Sequence, residues 1–185
     1  ESLDVAARAG RISRWVDFTE LHALALEPLV RVEGPTAIAA AQTALLERLA
    51  GHPSARTRLA VTEALPETAT EALERALDDT EAAVRRVAAR RLAGRAADLP
   101  PARAAALYVE LGQMAPAADL GEAALAALLR AAADDPDASR RAAAVTALPA
   151  LADLLGVREA VRLALMDTAA SVRAAAAEAF GRLDG

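Results

Sequence analysis

The chain has 185 residues, with 21 basic and 26 acidic side chains, a net charge of −5 and no Cys. That length allows one substantial domain or two small ones. The missing Cys excludes a disulfide framework and thiolate metal sites, and the acidic balance without a basic block offers no footprint for a phosphate backbone.

Alanine supplies more than a quarter of the residues and aromatics only 2%, so an all-α fold is expected. All 21 basic residues are Arg and Asn is absent, which reads as the codon bias of a GC-rich bacterial genome. The longest apolar run, residues 142–152, is too short to span a bilayer and contains Pro149, so no membrane insertion is expected. The chain opens at Glu1 rather than Met, with no charged n-region and apolar h-region. A segment of a larger protein is expected; the sequence leaves the compartment open, with the cytoplasm favoured.

In chain order, residues 1–35 match the later pattern poorly. "LHALALEPLVRVEG" reads as a worn first repeat or cap, with Trp15 and Phe18 packing on it. From residue 36 a unit recurs. "GHPSARTRLAVTEAL" places His52 six residues before Arg58, and "DDTEAAVRRVAARRLAG" places Asp79 six before Arg85. "DDPDASRRAAAVTALPAL" does the same with Asp135 and Arg141, and "MDTAASVRAAAAEAFGRL" with Asp167 and Arg173. The residue after the Asp or His is Pro53, Thr80, Pro136 or Thr168; Pro suits the first turn of a helix, and Asp or Thr can cap it.

Three and seven residues after each Arg stand Val61 and Leu65, Ala88 and Leu92, Ala144 and Leu148, Ala176 and Phe180, the spacing of one helical face. These are the expected core. Six residues before each turn stands Leu46, Leu73, Leu129 or Val161, the mark of a preceding helix. Each unit is therefore a helix, a tight turn and a second helix. The anchor Args are 27, 56 and 32 residues apart, and the long middle interval contains "PPARAAALYVELG": either one repeat has degenerated there or, the favoured reading, a third helix makes an irregular unit near 80–133.

The Asp–Pro/Thr turn, the Val–Arg pair and the apolar positions after it resemble HEAT repeats, in particular the short bacterial kind also found in phycobilin lyases. The resemblance covers residues 36–183 and implies an α-solenoid of stacked helical hairpins. It also implies an Asp–Arg ladder along the turns, which here falls on Arg58, Asp79, Arg85, Asp135, Arg141, Asp167 and Arg173, with His52 breaking the pattern at the first rung. Stacking has a physical reason: one helical pair cannot bury its apolar face alone.

Catalytic material is scarce. His22 and His52 have no His or Cys partner at helical spacing, and there is no Ser nucleophile elbow, P-loop or G-x-G-x-x-G. No metal or cofactor is expected. The His-Glu pairs of the di-iron HEAT-like enzymes are missing, and one Trp, one Tyr and the acidic balance argue against a DNA-alkylation-repeat protein. A chromophore-handling subunit of the bilin-lyase kind stays as the alternative. The favoured reading is a non-enzymatic scaffold that binds a protein or peptide, with no nucleic acid partner.

Its candidate binding face is the charged outer side of the second helices: Glu71, Glu74, Arg75, Glu122, Arg130, Arg158, Glu159 and Arg162. The helix near Thr168 is opened by the same turn yet no further helix follows it in the sequence, and its outward Ala174, Ala175 and Ala177 are apolar. A continuing array or a weak homotypic contact through that helix is expected.

Overall fold

A computed structural model of the chain describes residues 45–184. The worn repeat or cap expected over residues 1–35, with Trp15, Phe18 and His22, lies outside the described residues. Every regular element among the described residues is helical. The chain divides into two compact units at Leu92 and Ala93.

In the first unit, helical residues 45–49 precede α1 (Ala55–Ala64), α2 (Thr70–Ala76) and α3 (Ala82–Leu92). Both α1 and α2 pack on α3. Their fully buried side chains include Val61, Leu65, Leu73, Leu77, Val84 and Leu92, the stripe that helical spacing selects.

The second unit opens with a 3₁₀ segment, Ala93–Asp98, and then α4 (Pro101–Glu110), α5 (Met114–Ala118) and a further 3₁₀ turn, Gly121–Ala124. Within the long middle interval, residues 93–124 thus hold one full helix, α4, and shorter pieces. Pro101 starts α4 because its missing N–H needs no intrahelical partner there. Gly112 stops it at φ +80°: the Gly112 N–H reaches the Val109 carbonyl at 2.9 Å and the Gln113 N–H the Tyr108 carbonyl at 2.8 Å, a Schellman closure.

There follow α6 (Leu125–Asp134), α7 (Ala138–Ala147), a 3₁₀ turn (Leu148–Leu151), α8 (Val157–Ala164) and α9 (Ala170–Asp184). Two hairpins result, α6–α7 and α8–α9. Across them α6 packs against α8, and α7 packs against α9, so like helices share a layer. One apolar cluster runs through the unit, from Val109 and Leu128 through Val145, Leu148, Val157 and Val161 to Val172 and Ala176. Most of its members are Ala, which lets helices approach closely but offers little apolar area per residue.

The expected core positions hold at Val61, Leu65, Ala88, Leu92, Ala144, Leu148 and Ala176, all fully buried. Phe180 departs from them and is 38% exposed. Leu183, one turn later, is the buried residue near that end of α9.

Candidate functional site

The repeated turn has one geometry. In each case the helix begins three residues after the turn residue: Ala55 after His52, Ala82 after Asp79, Ala138 after Asp135, Ala170 after Asp167. The Asp side chain accepts the N–H two residues on, from Glu81 at 2.8 Å, Asp137 at 2.9 Å and Ala169 at 2.7 Å. His52 does the same job with Nδ1, accepting the Ser54 N–H at 3.0 Å. Pro53, Thr80, Pro136 and Thr168 therefore sit in the turn, two residues before the helix; the two Pro are not in its first turn, as was expected of them. The turn needs their carbonyls.

Those carbonyls are what the anchor Args take. Nη1 of each Arg reaches back to the carbonyls six and five residues earlier: Arg58 to His52 and Pro53, Arg85 to Asp79 and Thr80, Arg141 to Asp135 and Pro136, Arg173 to Asp167 and Thr168. The six-residue spacing follows, because side chains on a helix lean toward its N-terminus.

The opposite edge of the guanidinium does the inter-repeat work. Nε and Nη2 of Arg58 fork the Asp79 carboxylate at 2.6 and 2.8 Å, and those of Arg141 fork Asp167, both at 2.9 Å. A cation in the first turns of a helix faces the wrong end of the dipole. The incoming carboxylate offsets that, and the turn carbonyls satisfy the remaining donors.

Charge follows geometry. The Arg141 fork and the Ala169 N–H hold Asp167 down to about 2, and the Asp167 carboxylate raises Arg141 in turn. Burial pushes Asp79 up, yet the bonds from Arg58 and the Glu81 N–H outweigh it and leave the carboxyl below its usual range.

Asp135 is used differently: its second oxygen takes Nε of the adjacent Arg140 at 2.8 Å. Nη2 of Arg140 goes on to the Val109 carbonyl at 2.7 Å and the Glu110 carbonyl at 3.2 Å, adding a side-chain donor to the carbonyls at the end of α4. A Cβ at Gly112 would stand 3.3 Å from Arg140 Nη1, so glycine serves both the turn and this approach. The buried Glu110 carboxylate lies 3.7 Å from Arg140 and 3.9 Å from Arg130. Neither Arg140 nor Glu110 stood out in the sequence, because neither obeys the repeat.

The candidate binding face falls on α2, the 3₁₀ turn Gly121–Ala124, α6 and α8, which precede the repeated turns, rather than on the second helices expected. Glu71, Arg75, Glu122, Arg158, Glu159 and Arg162 are exposed, and Glu74 and Arg130 are half-buried. Several are already engaged. Arg75 Nε bonds the Glu71 carbonyl at 3.3 Å, Arg130 faces Glu110, and Arg162 forks Glu159 at 2.8 and 2.7 Å. Arg158 pairs with Asp184 at 2.6 Å and donates to the Leu183 carbonyl, closing the end of α9.

Large apolar side chains are exposed as well. Leu155 is 95% exposed and Met166 70%, with Leu163, Leu165 and Phe180 also exposed. The signal was present: Leu163 stands off the Val157–Val161–Ala164 stripe that α8 buries.

Among the described residues, no helix is long and apolar enough to cross a membrane, and no three His, Cys, Asp or Glu are grouped to hold a metal ion. The chain matches no protein-family model, and no curated protein matches it.

Proposed function

We propose that the chain is a non-enzymatic interaction module, an α-solenoid of HEAT-like hairpins whose helical surface binds a protein or peptide. One observation carries this reading. The hairpins α6–α7 and α8–α9 lie layer on layer, and the Arg141 fork on Asp167 joins the turns of successive hairpins. Units built this way present helix faces side by side, which is the kind of surface repeat proteins use for recognition.

The α8 face combines Arg158, Glu159 and Arg162 with the exposed Leu163. Mixed signs beside an apolar side chain fit a polypeptide better than lipid or nucleic acid. The test immobilises the full chain beside a variant carrying Arg162→Glu and Leu163→Asp, and identifies retained proteins by mass spectrometry. Binding of the purified partner should weaken roughly tenfold or more in the variant, with unchanged helix content. A partner that binds both alike would move the site off this face. A visible-absorbing chromophore on the purified protein would instead favour the bilin-handling reading.

A further inference from the structure

Helix α4 carries little in its apolar surface that fixes where it sits. Four successive residues, Ala104, Ala105, Ala106 and Leu107, are buried, and at about 100° per residue they take in the whole circumference. Val109 is buried as well. A helix that is apolar all round has no polar face to set its rotation. Three of those four residues are Ala, so a rotation of about 100° with a slide of about 1.5 Å exchanges one small side chain for another. Its neighbours α5 and α6 are Ala-rich too. Packing of this kind holds a helix without choosing one seat for it.

The choice falls to charge. From α7, Arg140 Nη2 donates to the Val109 carbonyl at 2.7 Å and the Glu110 carbonyl at 3.2 Å. The Glu110 carboxylate lies 3.7 Å from the same nitrogen, and Arg130 of α6 approaches that carboxylate at 3.9 Å. Arg140 is held from behind, because its Nε donates to Asp135 at 2.8 Å. The other Asp135 oxygen takes the Asp137 N–H at 2.9 Å, which ties this carboxylate to its turn. A step of one residue along α4 would carry both carbonyls and the Glu110 side chain away from Arg140. Only one seat satisfies every bond. Glu110 and Asp135 are 5% and 4% exposed, so these charges are out of water. Buried ion pairs are weak sources of net stability, and fixing one arrangement among several is their best-attested use.

We propose that the Glu110–Arg140–Asp135 cluster is a conformational clasp, which selects one seat for α4 against the α6–α7 hairpin and adds little to the stability of the fold. The clasp is independent of the α8 face.

Tyr108 stands next to Val109 in α4 and is the only Tyr of the chain. Tyrosine labelled with ¹³C at Cζ therefore gives one resonance for each seat, and the unaltered full chain should show one. In Arg140→Lys an ammonium cannot hold Asp135 and both carbonyls at once. The resonance should then split or broaden, while helix content and a single urea transition are kept. A variant that removes the charges together, Glu110→Leu with Asp135→Asn and Arg140→Met, should behave alike; its Asn keeps an acceptor for the Asp137 N–H. Leu128→Ala is the control for lost packing, since Leu128 is fully buried in the same unit. It should lower the urea midpoint and keep one resonance.

One sharp resonance in either clasp variant would overturn the proposal, by giving the choice of seat to packing. Loss of the folded state in either would overturn it too, because the cluster would then be a source of stability. So would several resonances in the unaltered chain or in Leu128→Ala, where the clasp is intact.

Discussion

In α7 the residues three, four and seven places after Arg141 are Ala144, Val145 and Leu148, and all are fully buried. In α9 the same places hold Ala176, which is buried, and Ala177 and Phe180, which are both exposed. At about 100° per residue, these positions lie near −60°, +40° and −20° from the Arg. In α9 the buried place therefore lies on one side and the two exposed places on the other. The first position is covered from within the hairpins described, as its burial in all four helices shows; the other two need a neighbour on the far side. For α7 that neighbour is α9.

Leu148→Ala and Phe180→Ala should separate most widely. The first removes a fully buried side chain and leaves a cavity, at about 2–5 kcal/mol. The second removes a partly solvated ring and should cost about 1 kcal/mol or less. Urea midpoints of the full chain measure both, and equal losses would mean that α9 is covered as fully as α7.

The Args make the next contrast. Arg141→Ala strips the fork from Asp167 and two carbonyls of their donor, and leaves a largely buried carboxylate without its cation. A loss of about 1–3 kcal/mol is expected. Arg173→Ala removes only the bonds to its own turn, and its loss should stay below about 1 kcal/mol. A cost for Arg173→Ala as large as that for Arg141→Ala would sink the comparison.

Acid reads the same rung. Asp167 falls from an ordinary 3.8 to about 2 in the folded chain. A depressed carboxyl contributes stability that is complete above its unfolded value and is lost as pH falls through its folded one. Stability should therefore fall between about pH 4 and pH 2, by at most about 2 kcal/mol from this group and less after solvent screening. Asp79 adds in the same direction. Asp167→Asn should flatten the decline; an unchanged acid limb would show that the fork contributes little.

The sequence made the phase of these helices legible because burial at period 3.6 and the Asp–Arg spacing are both local features. Leu65, Leu92 and Leu148 could be named from it. Phe180 could not be told apart from them, since its exposure depends on what packs against α9 rather than on α9 itself. Pro136 suits a first helical turn by propensity, yet it stands in the turn before the helix, where its carbonyl and that of Asp135 receive Arg141. His52 looked like a break in the pattern, yet its Nδ1 makes the local bond that an Asp oxygen makes elsewhere. What His52 lacks is a second oxygen for a fork. The absence of Lys, read from composition as codon bias, also has a structural use: Arg58 and Arg141 each bond on two edges at once, which a single ammonium cannot do. Arg140 and Glu110 follow no repeat, and only the packing of α4 brings them together.

The smallest expected effect is the most discriminating for the α9 face. Ala177→Glu places a carboxylate one helical turn after Arg173, within reach of its guanidinium. Helix propensity falls by a few tenths of a kcal/mol, and an i, i+4 pair returns a similar amount, less in this Arg-first order. The net change should stay within about 0.5 kcal/mol, whereas Val145→Glu, at the matching place in α7, buries a charge with no partner and should unfold the domain. Thermal melts of the two variants measure this. A loss from Ala177→Glu as large as that from Val145→Glu would mean that this face of α9 is covered as fully as that of α7.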